Sequence, residues 1–198
     1  MVTLFSGQPG PRKPTRRQAQ LRDHLVRLIL AEGFSTFTMD EFAARLRCSK
    51  RTLYTLAKSK EQLATLAVRE FFKTATEQVE AAIRRVRQPA RRVVAYLQAV
   101  AAALAPASRE FHDDVAAFRP TREIYQRNTE AAAQRVRELI DDGRRAGAFR
   151  NVPTAFVAEV IAATMQRITS GEIQASTKLS DAAAYTELAR LVVAAVRR

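Results

Sequence analysis

The chain has 198 residues and a formal net charge of +13, from 33 Lys and Arg against 20 Asp and Glu. Hydrophobic residues make up 47% of it, which argues against a disordered chain and leaves ample material for a core in one or two domains. A single cysteine excludes an intrachain disulfide, and no apolar stretch reaches the length of a bilayer. We therefore expect a soluble cytoplasmic protein whose positive charge attracts polyanions, either nucleic acid or an acidic membrane surface.

The first residues predict a flexible basic arm. Residues 1–14 are rich in Gly and Pro and carry Arg12 and Lys13. Short basic arms enter the minor groove of DNA in some proteins and are unordered solubilising tails in others, and both interpretations stay open. Thr15 with Gln18 three residues later is a capping box that predicts the first helix, and Gly33 predicts its end.

Residues 38–60 predict two short helices joined by a tight turn. Thr38 and Glu41 form a second capping box, and Ser49 can cap the following helix. Basic and hydroxyl side chains crowd its outer face, and no acid occurs from Lys50 to Lys60, whereas solvated faces usually mix Glu with Lys. The pattern is typical of a helix-turn-helix that lies in a DNA major groove. The alternative is an ordinary helical hairpin with a solvated basic face.

The rest of the chain is helical in pattern and shows no strict alternation, so we predict an all-α fold with about nine helices. Ser59 with Gln62 caps a helix that runs into the 80s before Pro89. The later predicted helices are 91–104, 108–118, 121–146, one that starts at Pro153, and 181–198. The helix after Ser59 is shared by both halves, which makes it the natural transmitter between them.

Residues 33–63 resemble the DNA-binding domain of the TetR (tetracycline-repressor) family of bacterial transcription regulators. The resemblance rests on these residues: Gly33-Phe34, Thr38, Phe42-Ala43, Ser49-Lys50-Arg51-Thr52-Leu53-Tyr54, Ser59-Lys60-Glu61 and Leu63. The chain departs from the family in two places. Arg47-Cys48 replaces Gly-Val in the turn, and Leu56-Ala57-Lys58 replaces an aromatic residue and a proline. A positive φ would cost Arg47 about 1 kcal/mol, so Arg47 accepts that strain or the turn is reshaped. We interpret Cys48 as a small packed hydrophobe.

The resemblance implies a homodimeric regulator, most often a repressor, that binds a palindromic operator and releases it when a small, largely apolar effector binds. It implies a helix-turn-helix domain at 15–58 and a ligand-binding and dimerisation domain at 59–198. The predicted phosphate contacts are Thr38, Tyr54 and Lys60. The residues predicted to face bases or adjacent phosphates are Lys50, Arg51, Thr52 and Thr55, next to the cap Ser49.

The last two predicted helices have more apolar circumference than one domain can cover, which is typical of central or shared helices. The resemblance implies the second case, a four-helix bundle across a two-fold axis. The predicted interface residues are Phe156, Val160, Thr164, Ile168, Tyr185, Leu188, Val192 and Val196.

The resemblance also implies a ligand cavity among the helices from Ser59 to about residue 168. The candidate lining residues are Phe71, Tyr96, Phe111, His112, Phe118, Tyr125, Phe156 and Met165. Aromatic residues at helical spacing are more often plain core, so each of them has that alternative. Tyr96, Tyr125 and His112 are the expected polar groups.

No Gly-rich phosphate loop, paired-Cys metal spacing or nucleophile with a His partner occurs, so we expect no enzyme, cofactor or metal. His112-Asp113-Asp114 could suggest a metal site, but adjacent helix positions diverge by about 100° and cannot converge on one ion. Two further classes stay open: a ligand-independent DNA architectural protein and a basic amphipathic protein on anionic membranes. The second is disfavoured because the bases cluster in the hairpin and do not line one long helix.

Overall fold

The computed structural model describes residues 15–197, and within this range it has α-helices, no β-strand and one isolated bridge between Phe149 and Arg197. The predicted all-α fold is confirmed. The predicted basic arm, residues 1–14, lies outside the described residues.

Ten helices follow one another along this part of the chain. They are α1 (Arg16–Glu32), α2 (Met39–Arg45), α3 (Lys50–Tyr54), α4 (Lys60–Ile83), α5 (Pro89–Leu104), α6 (Arg109–Ala117), α7 (Arg119–Arg145), α8 (Thr154–Thr169), α9 (Glu172–Thr177) and α10 (Asp181–Val196).

The structure has ten helices in the described residues where the sequence predicted about nine, and the additional helix is the short α9. Helix α9 was not predicted because its six residues are too few to show a helical pattern in the sequence. Its flanking residues, Gly171 and Lys178, both adopt left-handed backbone angles. Helices α5 and α7 also begin two residues earlier than expected, at Pro89 and Arg119. Proline is well tolerated in a first helical turn, where its missing N–H would have no intrahelical partner.

Side-chain caps start the helices of the N-terminal part as predicted. Thr15 and Thr38 each form a reciprocal capping box with the residue three positions on. Ser59 accepts from the Gln62 N–H at 3.3 Å, but the Gln62 side chain accepts from the Lys58 N–H at 2.9 Å. In a capping box the Gln62 side chain would accept from the Ser59 N–H, so this bond goes to the residue one position earlier.

Two hydrophobic cores are arranged along α4. The first holds α1, α2 and α3 together with the first half of α4, and it also takes in Phe111 and Val115 of α6 and Ile124 of α7. The second contains the end of α4 with α5, α7, α8 and α10. Helix α6 therefore packs on α1 within the first core, and this core extends past residue 58, where the sequence predicted the domain boundary.

Arg47 adopts a φ of +50° in the turn between α2 and α3. The Arg47 N–H donates to Ala44 O at 3.1 Å, and the Cys48 N–H donates to Ala43 O at 3.0 Å. The turn keeps the shape that a glycine would serve, and Arg47 accepts the strain. Cys48 packs half-buried against the first core, and this burial raises the pKa of its thiol.

We expect Arg47→Gly to stabilise the protein by about 1 kcal/mol, because glycine adopts a positive φ without a steric cost. Urea unfolding followed by circular dichroism measures the change. The matched control is Arg47→Ala, which removes the charge but keeps the β-carbon. If alanine stabilises as much as glycine, relief of charge repulsion and not of backbone strain is the reason.

Candidate functional site

Helix α3 presents the residues predicted to meet DNA on one exposed face. Lys50, Arg51 and Thr55 are exposed, and half of the Tyr54 surface is open to solvent, while Leu53 is fully buried in the first core. A five-residue helix has little stability of its own, so the buried Leu53 and the Ser49 cap hold it in place.

Several hydroxyls of this face are already engaged. The Thr38 hydroxyl donates to Glu41 Oε2 at 2.8 Å, and the Thr55 hydroxyl donates to Thr52 O at 2.6 Å. A hydroxyl has a single hydrogen to donate, so in this arrangement both can only accept. Thr55 can thus accept from the amino group of cytosine or adenine, whereas Thr38 must change partner before it donates to a phosphate.

The two lysines also have protein partners. Lys50 forms an ion pair with the exposed Asp40. The Lys60 ammonium, in the first turn of α4, donates to Ser35 O at 2.6 Å in the turn between α1 and α2. An ammonium has three hydrogens, so Lys60 can hold this turn and still donate to a phosphate.

Arg17 belongs to the same surface, although sequence reasoning did not select it. A groove of about 280 Å³ between the start of α1 and α3 is lined by Thr15, Arg17, Gln18, Leu21, Ser49, Arg51, Thr52 and Thr55. Arg17 and Arg51 thus line the same groove. The Arg16-Arg17 pair directly after the Thr15 cap was the available signal, because a cap fixes where the first exposed turn lies.

Asp114 links α6 to the turn that precedes α2. Its Oδ2 accepts from the N–H groups of Phe34 and Ser35, at 2.5 and 2.8 Å. Gly33 ends α1 with a φ of +72°, and a β-carbon there would collide with the Asp114 carboxylate. Sequence reasoning weighed Asp114 only as a metal ligand. Among residues 15–197, no three His, Cys, Asp or Glu side chains are grouped to hold a metal ion.

An inner cavity of about 210 Å³ lies between α4, α5, α7, α8 and α10. It is lined mainly by apolar side chains, and three of the predicted residues, Tyr96, Tyr125 and Met165, contribute to it. Phe72, and not the predicted Phe71, is the α4 aromatic that faces it. The bidentate pair of Arg135 with Glu80, at 2.8 and 3.2 Å, lies in its wall.

Three tyrosines line this inner cavity: Tyr96, Tyr125 and Tyr185. The hydroxyls of Tyr125 and Tyr185 are buried and have no hydrogen-bond partner among the described residues. Burial raises the pKa of all three phenols, so they are neutral at pH 7. A buried hydroxyl without a partner is costly, and a bound ligand or water with a polar atom would relieve that cost.

An outer cavity of about 480 Å³ adjoins the inner one, because Tyr125 and Thr129 line both. The Tyr125 ring lies between Phe72 of the inner cavity and His112 of the outer cavity, with centroid distances of 5.2 and 6.0 Å. Burial lowers the pKa of His112, so its imidazole is neutral at pH 7.

The remaining predicted pocket residues lie elsewhere. Phe71 and Phe111 are buried in the first core, and Phe118 packs against it with its ring 6.2 Å from that of Phe34. They pack there because α6 lies against α1 and the turn that follows α1. Phe156 is 69% exposed and lines a different groove, between α8 and α10.

The α8 and α10 side of the molecule carries a groove of about 380 Å³ whose lining is apolar apart from Thr164 and Glu187. Phe156, Val160 and Leu191 are 69%, 45% and 68% exposed there. Five predicted interface residues are buried in the single chain: Ile168, Tyr185, Leu188, Val192 and Val196. Ile168, Leu188 and Val192 nevertheless line this groove, whereas Tyr185 and Val196 do not. Leu191 was not among the predicted residues.

Residues 21–66 match the family model described as "Bacterial regulatory proteins, tetR family". The chain carries the DNA-binding domain of the TetR family. This match confirms the resemblance seen in residues 33–63 and identifies α1 to α3 and the start of α4 as a transcription-regulator domain. No curated protein matches the sequence. None of the helices between residues 15 and 197 is long and apolar enough to cross a bilayer.

Solved structures of transcriptional regulators share the fold over most of the chain. A putative transcriptional regulator from Saccharomonospora viridis, in complex with choline, is 18% identical over 91% of this chain and 97% of its own, with a TM-score of 0.70. The FadR regulator from Bacillus subtilis, in complex with stearoyl-CoA, is 14% identical over 88% and 97%, with a TM-score of 0.69. A TetR/AcrR-family regulator from Thermobifida fusca is 17% identical over 93% and 100%, with a TM-score of 0.66.

We expect Asp114→Ala to lower the free energy of unfolding by about 1.5–3 kcal/mol, because two backbone N–H groups lose a charged acceptor. Urea unfolding measures the loss. The neighbouring exposed Asp113 is the matched control, and Asp113→Ala should change stability by less than about 0.5 kcal/mol. Equal losses at both positions would mean that the carboxylate of Asp114 does not hold the turn.

Proposed function

We propose that the protein is a ligand-responsive transcriptional repressor that acts in the cytoplasm. It binds a palindromic operator as a homodimer through α3 and releases the operator when a small molecule enters the cavities. The observation that carries the proposal is the position of α4. Lys60 at its start bonds the turn that precedes α2, while Phe72, Thr76, Val79 and Glu80 line the inner cavity. A ligand that moves α4 therefore moves the base of the DNA-binding domain.

Effector binding is supported by the cavities and by the related structures. An architectural DNA protein would have its interior filled by its own side chains, whereas this interior leaves cavities of about 210 and 480 Å³. Pockets of this order take small molecules. Two regulators with the same fold are described in complex with ligands, choline in one and stearoyl-CoA in the other. We place the effector of this protein in the two adjoining cavities.

The dimer follows from the exposed apolar groove between α8 and α10. Phe156, Val160 and Leu191 are large hydrophobic side chains that a single chain leaves in water. Clustered exposure of this kind marks an association surface. A second copy of the same groove across a two-fold axis would cover it. The same symmetry would place two α3 helices in successive major grooves, about 34–36 Å apart.

For DNA binding, we expect Arg51→Ala to alter operator preference, because a lost base contact typically shifts binding by about 1–3 kcal/mol. Lys50→Ala and Tyr54→Ala should also weaken binding. An operator is first selected from a pool of random duplexes. Each variant is then titrated by fluorescence anisotropy against the operator and a scrambled duplex at two salt concentrations.

The matched control is Lys73→Ala, which removes an exposed charge from α4 outside the helix-turn-helix. A lost phosphate contact flattens the slope of log K against log salt by about 0.9, and Lys73→Ala should leave that slope unchanged. The proposal that α3 recognises the operator would be rejected if the triple variant Lys50→Ala, Arg51→Ala, Tyr54→Ala kept its operator affinity.

For the dimer, we expect Leu191→Glu to yield a folded monomer, because the carboxylate is exposed in the single chain but would be buried in the interface. Sedimentation velocity measures the mass, and circular dichroism checks the fold. Ala194→Glu, on an exposed position of the same helix outside the groove, is the control and should stay dimeric. Charging Leu188 or Val192 tests folding instead, since both are buried within the chain. A dimeric Leu191→Glu would place the interface elsewhere.

A further inference from the structure

The outer cavity is acidic in a strongly basic protein. Three of its lining residues are acids, Asp113, Glu130 and Glu159, and one is a cation, Arg122, while His112 is neutral. The chain as a whole has a formal charge of +13. The local excess of carboxylates thus opposes the charge of the molecule, and these solvent-exposed acids line a concave surface.

The partners of these groups leave two carboxylates available. Asp113 is 3.4 Å from Arg109, and Arg122 donates to Ala116 O at 2.9 Å. Glu130 of α7 and Glu159 of α8 line the cavity from two different helices and have no ion-pair partner within residues 15–197. A cation between them would be attracted from both sides.

A second feature of the site points independently to a ligand. Tyr125 lines both cavities, and its buried hydroxyl, which has the Thr169 side chain nearby, makes no hydrogen bond of normal geometry among the described residues. Tyr185 is 1% exposed and lines the inner cavity, and its hydroxyl makes no hydrogen bond among the described residues.

We propose that the effector is an organic cation with an apolar body. The cationic group occupies the outer cavity beside Glu130 and Glu159, and the apolar body passes Tyr125 into the inner cavity. This inference rests on the proposed function, because it names the ligand class of the proposed effector site. The carboxylates repel an anionic ligand such as a fatty acid, so the cavity selects by charge.

The test uses three probes that share a 4-phenylbutyl body: 4-phenylbutyltrimethylammonium, N-(4-phenylbutyl)acetamide and 5-phenylpentanoate. Isothermal titration calorimetry of the full chain, without DNA, measures the three affinities. The cation should bind about tenfold more tightly than the amide and the carboxylate. Glu130→Gln and Glu159→Gln should each weaken the cation about three- to fivefold and leave the amide unchanged.

Two control variants separate charge from shape. Glu77→Gln removes an equal charge from an exposed position of α4 outside both cavities, and it should not change any affinity. Ala132→Leu fills the inner cavity and should weaken all three probes by a similar factor, without changing their order. Circular dichroism checks that each variant is folded.

The inference is overturned if the carboxylate binds as tightly as the cation, if the cation does not bind, or if its preference survives in the double variant Glu130→Gln, Glu159→Gln. Operator titrations with each probe keep the two claims apart. Release of the operator by the amide or the carboxylate would support the proposed function and overturn the cation class. Binding of the cation as expected without any change in operator affinity would support the class and reject the effector role.

Discussion

The Asp114 carboxylate joins the two halves of this molecule with two hydrogen bonds. It accepts from the backbone of Phe34 and Ser35, and thereby fixes the turn from which α2 and α3 continue. Nearby, the Ser108 N–H donates to Leu30 O at 2.8 Å, so the start of α6 is bonded to the end of α1 as well. Hydrogen bonds to a charged acceptor are stronger than neutral ones, so these contacts tie the backbone that precedes α2 to α6.

Because of this contact, α6 is one of two helices that connect the ligand-cavity half to the DNA-binding half. Helix α6 carries Asp114 towards the helix-turn-helix and His112 towards the outer cavity. Helix α4 offers a second route, since its 24 residues span about 36 Å and enter both cores. The two helices meet the same turn, because Lys60 bonds Ser35 O while Asp114 bonds the Ser35 N–H. A displacement of either helix reaches one short segment of backbone.

The structural features that could be predicted from the sequence are those set by residues close together in the chain. The caps at Thr15, Thr38, Ser49 and Ser59 and the exposed face of α3 follow from spacings of three or four residues, and the structure has them. The cavity depends on which side of each helix meets a distant partner. Phe71 and Phe72 are adjacent and differ by about 100° around α4, and nothing local decides which one faces the space. Tyr185 was assigned to the interface for the same reason, since α10 is apolar on two sides. The role of Asp114 could not be predicted because its hydrogen-bond partners are about 80 positions away in the sequence.

The placement of the tyrosines has a spectroscopic consequence. The chain has no tryptophan and four tyrosines, so its near-ultraviolet emission comes from those four phenols. Tyr96, Tyr125 and Tyr185 line the inner cavity, and Tyr54 stands half-exposed on the α3 face. Three emitters thus surround the ligand space and the fourth lies where DNA would bind, so the unlabelled protein carries an optical reporter at each of its two candidate binding surfaces.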